Sequence, residues 1–350
     1  MKAKHIVIYI LSAAGLALVV CGAGTSMEAA KSALVLCAQT VIPSLFPFFV
    51  ITSFIVNTRF VISAGKIAAP ISRRLFKVSG SGAVVFVMGI LCGYPTGAKM
   101  VSELYENKEI SRNEAMRLLP FCNNSGPLFV IGAVGAGMLG STRLGVTLYA
   151  VHVISAVLTG IFFSFFSKQS DGHQTSTVMA IHLGRAFSDA VCCAVQTMLN
   201  VCGFIVFFSV LREFLTPFIF KLLGSGALGL TVSGMAEVTL GAQDICVSGQ
   251  ALPFTMILLS GIIGFGGVCV LLQVCGVVSQ AGLGIKTYAV GKIFQMLVSM
   301  VITACVVSSW KTQAAFASIS SLPHRYLEVA PYMLVAFFFA CAYAAARKKN

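Results

Sequence analysis

Residues 75–83, Leu-Phe-Lys-Val-Ser-Gly-Ser-Gly-Ala, recur at residues 219–227 as Ile-Phe-Lys-Leu-Leu-Gly-Ser-Gly-Ala, with six identities in nine positions. The same spacing of 144 residues places Gly97-Ala98 on Gly241-Ala242. Chance accounts poorly for two coincidences at one spacing. The chain therefore contains an internal repeat, and each copy includes a Gly-Ser-Gly-Ala motif followed by apolar sequence.

The composition around these copies is that of a membrane protein. Of the 350 residues, 57% are hydrophobic and only 10% are charged, and the mean hydropathy is +0.93. Soluble domains carry about 25% charged residues, so this composition excludes an ordinary soluble enzyme. Apolar runs of about 18 residues or more are long enough to cross a bilayer as helices.

The apolar runs predict about eight transmembrane helices. Three of them are interrupted, by Pro43 and Pro47, by Asn123-Asn124-Ser125-Gly126-Pro127, and by Gly264 to Gly267. The predicted crossings are 6–24, 30–56, 119–140, 144–167, 196–215, 253–278, 289–309 and 329–346.

Two further apolar stretches, 80–98 and 224–243, are interrupted by Gly-Tyr-Pro-Thr-Gly-Ala and by Gly-Met-Ala-Glu-Val-Thr-Leu-Gly-Ala. Each predicts a re-entrant hairpin that enters and leaves on one side. Three crossings separate the hairpins, so the two copies enter from opposite sides, as in the inverted repeats of transporters. Segments 61–77 and 178–195 mix charges with apolar residues and are expected to lie in the membrane interface.

The predicted fold is thus an all-α polytopic membrane protein, with about eight transmembrane helices and two re-entrant hairpins in an inverted repeat. Its divisions are an N-terminal transmembrane helix (1–28), a first repeat (29–167), a second repeat (168–309), and a C-terminal helix with a basic tail (310–350). An uncleaved first helix is favoured over a signal peptide, because Leu18-Val19-Val20 is too bulky for a cleavage site.

The net charge is +13, from 24 lysine and arginine residues against 11 aspartate and glutamate residues. The cations stand between apolar runs, so we expect them to set membrane orientation and not to bind nucleic acid. With the N-terminus in the cytoplasm, 18 cations fall inside, Lys292 among them, and six fall outside. The six are Lys31, Arg143, Arg212, Lys221, Lys311 and Arg325. This excess predicts that both termini are cytoplasmic.

Helix interruptions predict the binding site, because backbone groups freed within a membrane must bind protein, water or a ligand. A half-helix that begins there presents free N–H groups and a positive dipole end, which suits an anion. The second hairpin adds Glu237, an acid among apolar residues that is costly unless paired or hydrated. The candidate substrate-binding residues are Gly93, Tyr94, Pro95, Thr96, Gly97, Lys99, Asn123, Asn124, Ser125, Glu237, Thr239, Gln243 and Asp244.

Structural interpretations of the same residues stay open. The Gly-Tyr-Pro and Asn-Asn-Ser-Gly-Pro motifs are also typical of tight turns. Lys99 is interpreted as marking the cytoplasmic end of the hairpin in preference to contacting substrate. Glu237 is interpreted as binding a proton, a cation or a hydrogen-bond donor of the substrate, or as pairing with Lys99. His152 is interpreted as a packed, hydrogen-bonded side chain, and the segment from Glu103 to Arg117 as a solvated loop.

Other chemistry has little support in the sequence. The 12 cysteines form no CxxC pair and lie mostly in apolar runs, so they are interpreted as packed thiols and not as metal ligands or disulfides. HExxH, GxSxG and phosphate-loop motifs are absent from the sequence. No enzyme activity, metal or cofactor is expected.

Three motifs carry a family resemblance. Pro43–Phe48, Gly93–Lys99 and Phe121–Phe129 resemble the YlbJ/SpoVV-type sporulation integral membrane proteins, and the similarity extends over nearly the whole chain. That family is built on the nucleoside recognition Gate domain, which concentrative nucleoside transporters and ferrous-iron transport proteins share. Only residues Gly93–Lys99 and Asn123–Pro127 carry over from it, because the second hairpin lacks the Tyr-Pro pair.

The resemblance implies transport of dipicolinic acid, a small flat dianion, across the outer forespore membrane of a spore-forming bacterium. Half-helix N-termini, asparagine amides and a lysine would suit its carboxylates, and Tyr94 would stack on its ring. The alternatives are transport of a nucleoside or another small organic anion, and a membrane scaffold for spore-envelope assembly, which the short loops disfavour. The expected partners are this anionic solute and the lipid bilayer, and homo-oligomerisation is left open.

Overall fold

The computed structural model describes residues 2–56, 60–166 and 183–308, and every regular element in these ranges is helical. The elements are α1 Lys2–Cys21, α2 Ala23–Leu36, the π-helix π1 Cys37–Val41, α3 Ile42–Val56, α4 Phe60–Leu75, α5 Gly80–Cys92, α6 Thr96–Glu106, α7 Arg112–Cys122, the π-helix π2 Leu128–Met138, α8 Thr142–Phe165, α9 Leu183–Leu223, α10 Ala227–Ala236, α11 Val238–Val247, α12 Leu252–Phe265, α13 Gly267–Gln280 and α14 Lys286–Ser308. The all-α prediction is confirmed.

Four helical stretches in the described ranges are long and apolar enough to cross a membrane, or up to six if each of two bent pairs forms one span. The four are Thr142–Phe165, Gly184–Leu223, Leu252–Gln280 and Lys286–Ser308. The predicted crossings 30–56 and 119–140 consist of shorter helices, because prolines and the Asn-Asn-Ser-Gly-Pro segment interrupt them. The predicted crossing 329–346 lies outside the described residues.

The internal repeat extends through the order of the helices. The elements α5, α6, α7, π2 and α8 are followed in the same order by α10, α11, α12, α13 and α14. The copies also keep their spacing, since α14 begins at Lys286, 144 residues after α8 begins at Thr142. The repeat detected in nine residues therefore belongs to a duplicated unit of five helical elements.

Both predicted hairpins are present and are longer than the sequence indicated. In the first, α5 and α6 pack against each other across the turn Gly93–Pro95, and α6 continues to Glu106. In the second, α10 and α11 meet at Glu237, and α11 continues to Val247. The predicted ends at 98 and 243 were wrong because both helices continue through their internal glycines, Gly97 and Gly241, and end only shortly before Asn107 and Gly249.

Glycines allow the first hairpin to approach the next helix closely. A Cβ atom on Gly89 or Gly97 would collide with the backbone carbonyl of Cys122 at the end of α7. In the second hairpin, a Cβ atom on Gly241 would collide with the backbone of Gly234. The Gly97–Gly241 pair of the repeat therefore reflects a packing requirement in each hairpin.

The centre of the described bundle is built from α7, α8, α12 and α14, with α14 packed against the other three. The core of the first repeat includes Phe76, Phe86 and Phe121, whose ring centroids lie 4.9–5.4 Å apart. Helices α2 and α3 lie outside this centre and pack against α9. The two repeats thus meet along α8 and α14.

The segment 178–195 was predicted as an interfacial segment separate from the crossing 196–215. Within the described residues, 183–195 instead form the first part of α9, a continuous helix of 41 residues. The sequence from Leu183 to Thr216 contains no proline, and Pro217 is accommodated inside the helix. At 1.5 Å per residue, α9 is about 60 Å long, roughly twice the hydrocarbon thickness of a bilayer.

The segment from Glu103 to Arg117 was interpreted as a solvated loop, and this was wrong for most of its length. Only 107–111 lie outside helices, and the side chains of Glu114 and Arg117 are buried. Glu114 accepts a hydrogen bond of 2.6 Å from the Ser79 amide at the start of α5, and the Arg117 guanidinium donates to the Lys77 carbonyl. These charges bind backbone groups of the first hairpin and hold it against α7.

The close approach of the first hairpin to α7 generates a stability prediction. We expect Gly89→Ala to destabilise the protein by about 1–3 kcal/mol, because a rigid backbone carbonyl occupies the space of the added methyl group. The matched control is Gly203→Ala in α9, where a Cβ atom would have no neighbour within 4 Å. The apparent unfolding temperature of both variants in detergent measures the effect. An unchanged value for Gly89→Ala would contradict this account of the hairpin packing.

Candidate functional site

The tips of the two hairpins border one cavity of about 490 Å³. The first tip contributes Gly93 and Tyr94, and the second contributes Glu237 and Thr239. Ser125 and Gly126, from the break between α7 and π2, also line it. Its other walls are mainly apolar and include Leu45, Phe129, Val201, Ile205 and Val270. We call this space the central cavity.

Each hairpin tip lies against the interrupted helix of its own repeat. A Cβ atom on Gly93 would lie 3.0 Å from the Gly126 amide nitrogen, and one on Gly267 would lie 3.3 Å from the Val238 nitrogen. Gly93 has a φ of 81° and Gly267 a φ of 89°, which glycine adopts without a steric penalty. Four interruptions of helical backbone therefore converge around the central cavity.

The first tip also reaches the second repeat. The Tyr94–Pro95 peptide bond is cis, and the Tyr94 hydroxyl donates a hydrogen bond of 3.1 Å to the Ile263 carbonyl of α12. The same hydroxyl packs against Gly266, where a Cβ atom would come within 2.7 Å of it. Tyr94 is thus a wall of the cavity and a bridge between the repeats.

The predicted Asn-Asn-Ser break is held by side chains. The Asn123 amide oxygen accepts from the Ala98 backbone at 3.4 Å, and its nitrogen donates to the Tyr288 hydroxyl at 3.1 Å. The Ser125 amide donates to Nε2 of His152 at 3.1 Å. The bond to His152 satisfies a backbone amide of the buried break, and the two bonds of Asn123 tie the break to α6 and α14. His152 is a packed, hydrogen-bonded residue, as interpreted from the sequence.

Glu237 forms the N-cap of α11. Its two carboxylate oxygens accept hydrogen bonds from the amides of Thr239 and Leu240, at 2.9 and 2.8 Å. The positive end of the helix dipole and these two donors stabilise the buried carboxylate. Of the interpretations left open for Glu237, pairing with Lys99 does not occur in this structure.

Lys99 lies in an adjoining polar cavity of about 390 Å³ between α6 and α9. Its ammonium group donates to the Cys193 sulfur at 2.7 Å and to the Thr197 hydroxyl at 2.9 Å. Val201 and Gln273 line both cavities, so they mark the place where the two spaces meet. Lys99 therefore ties the first hairpin to α9 at the side of the central cavity.

The other candidate residues are distributed around these features. Pro95 lines the polar cavity, whereas Thr96 and Gly97 are buried within the first hairpin. Gln243 is exposed, and Asp244 forms an ion pair with Arg212 of α9. The structure thus places Gln243 and Asp244 away from the central cavity.

Sequence reasoning missed Lys292, which it counted among the cytoplasmic cations. Lys292 lies inside α14 and has no exposed surface. Its ammonium group donates to the Gln295 side-chain oxygen at 2.8 Å and to the Asn124 side-chain oxygen at 3.4 Å. It also lies 5.5 Å from the ring centroid of Tyr94 and 5.9 Å from that of Tyr288. Lys292 therefore lies in the core and not at a membrane face, and it has to be removed from the count of cytoplasmic cations.

A periodic signal for this residue was present. Along α14, polar residues recur every three or four positions and all are buried, which is the pattern of a helix with a polar face turned toward the bundle. These residues are Tyr288, Lys292, Gln295, Ser299 and Thr303. Lys292 lies near the start of the predicted crossing 289–309, and for this reason it was counted among the cytoplasmic cations.

The described residues contain no group of three or more histidine, cysteine, aspartate or glutamate side chains that could hold a metal ion. The eleven cysteines within the described ranges are all free thiols. The polar groups at the centre are instead amides, hydroxyls, one carboxylate and one ammonium group. Such a set can bind a small organic solute through hydrogen bonds and charge.

The fold and the cavity define a polytopic helical membrane protein of transporter-like architecture. A structure of a CNTnw double variant in an outward-facing state superposes with a TM-score of 0.50, covering 87% of this chain and 84% of that chain at 12% identity. At this identity the similarity supports the fold alone.

Two comparisons of sequence establish the family. The family model described as Gate, nucleoside recognition, matches residues 38–216. The sporulation integral membrane protein YlbJ of Bacillus subtilis (strain 168) is 32% identical over 304 residues, which cover 77% of this chain and 74% of that protein. The chain belongs to the Gate nucleoside recognition family and, within it, to the YlbJ-type sporulation integral membrane proteins.

Asn124 generates a stability prediction for this site. We expect Asn124→Ala to destabilise the protein by about 1–3 kcal/mol, because Lys292 and Gln295 each lose a buried acceptor. The matched control is Asn107→Ala in the exposed loop after α6, which is expected to change stability by less than about 0.5 kcal/mol. Thermal unfolding in detergent compares the two, and equal effects would show that the buried network adds nothing.

Proposed function

We propose that this protein transports a small organic solute through the central cavity and that the solute is dipicolinate. The observation that carries the proposal is the cavity itself, bordered by both hairpin tips and by the interrupted helices of a transporter-like fold. Membership of a sporulation-associated membrane family agrees with a solute needed in spore formation. Transport is favoured over catalysis because the polar groups surround a passage between repeats.

The interrupted helices explain how such a cavity would bind and release a solute. Amides in the first turns of α6 and α11 already bond the Asn123 side-chain oxygen and the Glu237 carboxylate, so a solute at these helix starts would take the place of one of these acceptors. The contacts of each hairpin with its broken helix rely on glycine, so they involve backbone surfaces that can slide. In the proposed mechanism the hairpins move against the surrounding helices and open the cavity to one side at a time.

Several features of the cavity support a flat aromatic solute. Tyr94 offers a ring for stacking, and the apolar walls suit the faces of a pyridine. The amides at the start of α11 donate to the Glu237 carboxylate, so this helix start is suited to a carboxylate group. We retain as proposed substrate contacts Gly93, Tyr94, Ser125, Glu237 and Thr239, which border the cavity.

A nucleoside is the second candidate, and Glu237 favours it. This carboxylate is the charged group on the cavity lining, and it suits the hydroxyl and N–H donors of a neutral nucleoside better than a dianion. The family description also refers to nucleoside recognition. The two candidates differ in charge, so one set of experiments separates them.

The proposed location is the outer forespore membrane, with both termini in the cytoplasm of the mother cell. The support for this orientation is the excess of cations in the loops assigned to the inside, which remains large when the buried Lys292 is removed from the count. The assignment to the outer forespore membrane is supported by the family resemblance. The division at residues 28, 167 and 309 likewise remains our proposal.

Uptake into vesicles tests the proposed function. Purified protein in liposomes should accumulate labelled dipicolinate with saturation, with and without proton or sodium gradients as separate arms. Asn123→Ala should reduce uptake at least about tenfold, because it frees the first hairpin from the break. Glu237→Gln should alter the apparent affinity, because it changes the charge on the cavity lining.

The matched control is Glu28→Gln, which changes an exposed glutamate on α2 and should leave uptake unaltered. Saturable uptake of uridine without uptake of dipicolinate would support the nucleoside candidate. If neither solute enters faster than into protein-free liposomes, the substrate proposal is wrong.

A further inference from the structure

We propose that Lys292 is the cationic group that recognises the anionic part of the transported solute, and that the solute reaches it from the central cavity past Tyr94. This inference rests on the proposed transport function but makes its own prediction about one buried side chain. The proposal states that the solute is an anion and that Lys292 is the residue that recognises its charge.

Lys292 has no counter-ion among the described residues. Arg185 pairs with Asp189 and Arg212 pairs with Asp244, and no carboxylate of the described ranges lies within ion-pair distance of Lys292. Its hydrogen-bond acceptors, Gln295 and Asn124, are neutral amides. A buried ammonium group without a carboxylate is costly, and a packed apolar side chain would serve stability better. Charges kept at such cost within membrane helices mark functional sites.

The Lys292 ammonium group has more hydrogen-bond donors than close acceptors. A lysine has three N–H donors, and Lys292 has one acceptor at 2.8 Å and a second at the longer distance of 3.4 Å. The remaining direction faces the rings of Tyr94 and Tyr288. Aromatic faces hold a cation by weak electrostatic attraction, which a carboxylate would exceed.

Lys292 lies close to the central cavity. Tyr94 lines the central cavity on one side and contacts Lys292 on the other. Ser125, next to Asn124, also lines the cavity. A single layer of side chains therefore separates Lys292 from the solute space. Tyr94 follows Gly93, whose backbone is open to a wider range of φ than that of other residues, and the proposal places the movement of the tip there.

The charges around the central cavity point the same way. Among the residues that the structure describes, its lining includes a carboxylate, Glu237, and no cation. Lys99 lies in the adjoining cavity, where Cys193 and Thr197 already bind its ammonium group. An anionic solute in the central cavity would thus lack a cationic partner unless Tyr94 moves and exposes Lys292. The other titratable groups around Lys292 are Tyr94, Tyr288, His152 and Cys122, none of which carries a fixed charge.

Binding measurements test the charge recognition. The probes are dipicolinate and its neutral isostere 2,6-pyridinedimethanol, titrated against the purified full chain by thermal shift. Lys292→Gln should weaken dipicolinate binding about 10- to 100-fold, as expected for loss of a charge-assisted hydrogen bond, and leave binding of the isostere within about twofold. The matched control Lys66→Gln, on the exposed side of α4, should change neither. Unchanged dipicolinate binding by a folded Lys292→Gln protein would overturn the proposal.

A second measurement uses the wild-type chain and does not depend on dipicolinate. An aldehyde condenses with a lysine amine to give an imine and water, and borohydride reduces the imine to a stable secondary amine that mass spectrometry locates. The probes are 3-formylbenzoate and uncharged benzaldehyde, with Lys66 as the exposed reference, and a separate arm adds dipicolinate as a competitor. The anionic aldehyde should label Lys292 at least about tenfold faster than benzaldehyde does, after each rate is divided by the rate at Lys66.

The outcomes separate the two proposals. No labelling of Lys292 in the folded protein, or equal relative rates for both aldehydes, would overturn the role of Lys292 whatever the solute is. Selective labelling that dipicolinate does not slow would support anion recognition by Lys292 and contradict dipicolinate as the solute. Selective labelling that dipicolinate slows would support both.

Discussion

The structure depends on one constraint: backbone that leaves a helix inside a membrane must still have its N–H and C=O groups bonded. Four interruptions meet this constraint in four ways. Glycine brings the first tip against the Gly126 backbone. In the segment after α7, the Asn123 side chain accepts from the Ala98 amide of α6, and the Ser125 amide donates to His152. Glu237 caps α11, and Gly266 ends α12 in a left-handed conformation beside Tyr94. The four interruptions stabilise one another because each lies close enough to its neighbours to bond or pack against them.

Their convergence produces both the cavity and its polarity. Each interrupted helix needs polar side chains from its neighbours, so amides and hydroxyls collect where an apolar bundle would otherwise be packed. Lys292 belongs to this collection, since it contacts Asn124 from the first repeat and Gln295 from the second. In the proposed function, these polar groups hold the interrupted segments in place and also bind the solute.

The second repeat shows how one architecture uses different residues in its two halves. The first hairpin turns at Gly-Tyr-Pro, whereas the second turns at a capping glutamate with no equivalent of Tyr94. The first hairpin binds α9 through Lys99, and the second hairpin binds α9 through the ion pair of Asp244 with Arg212. The repeat therefore conserves spacing and helix order while the chemistry at the tips diverges. Such asymmetry suits a site in which one side supplies an aromatic ring and the other a carboxylate.

The helical membrane class, the repeat and the places where helices break follow from the sequence, because apolar length, a fixed spacing and Gly, Pro and Asn signals are local properties. Tyr94, Ser125 and Glu237, which lie at those breaks, were found in the same way. The polar period along α14 also indicates a buried face, but the contacts of Lys292 and the pairing of Asp244 with Arg212 come from the tertiary structure. A charge near a helix end looks the same in sequence whether it faces water or a buried amide. The partners that distinguish these cases lie 168 residues away for Lys292 and 32 residues away for Arg212, so the packing of the repeats settles them.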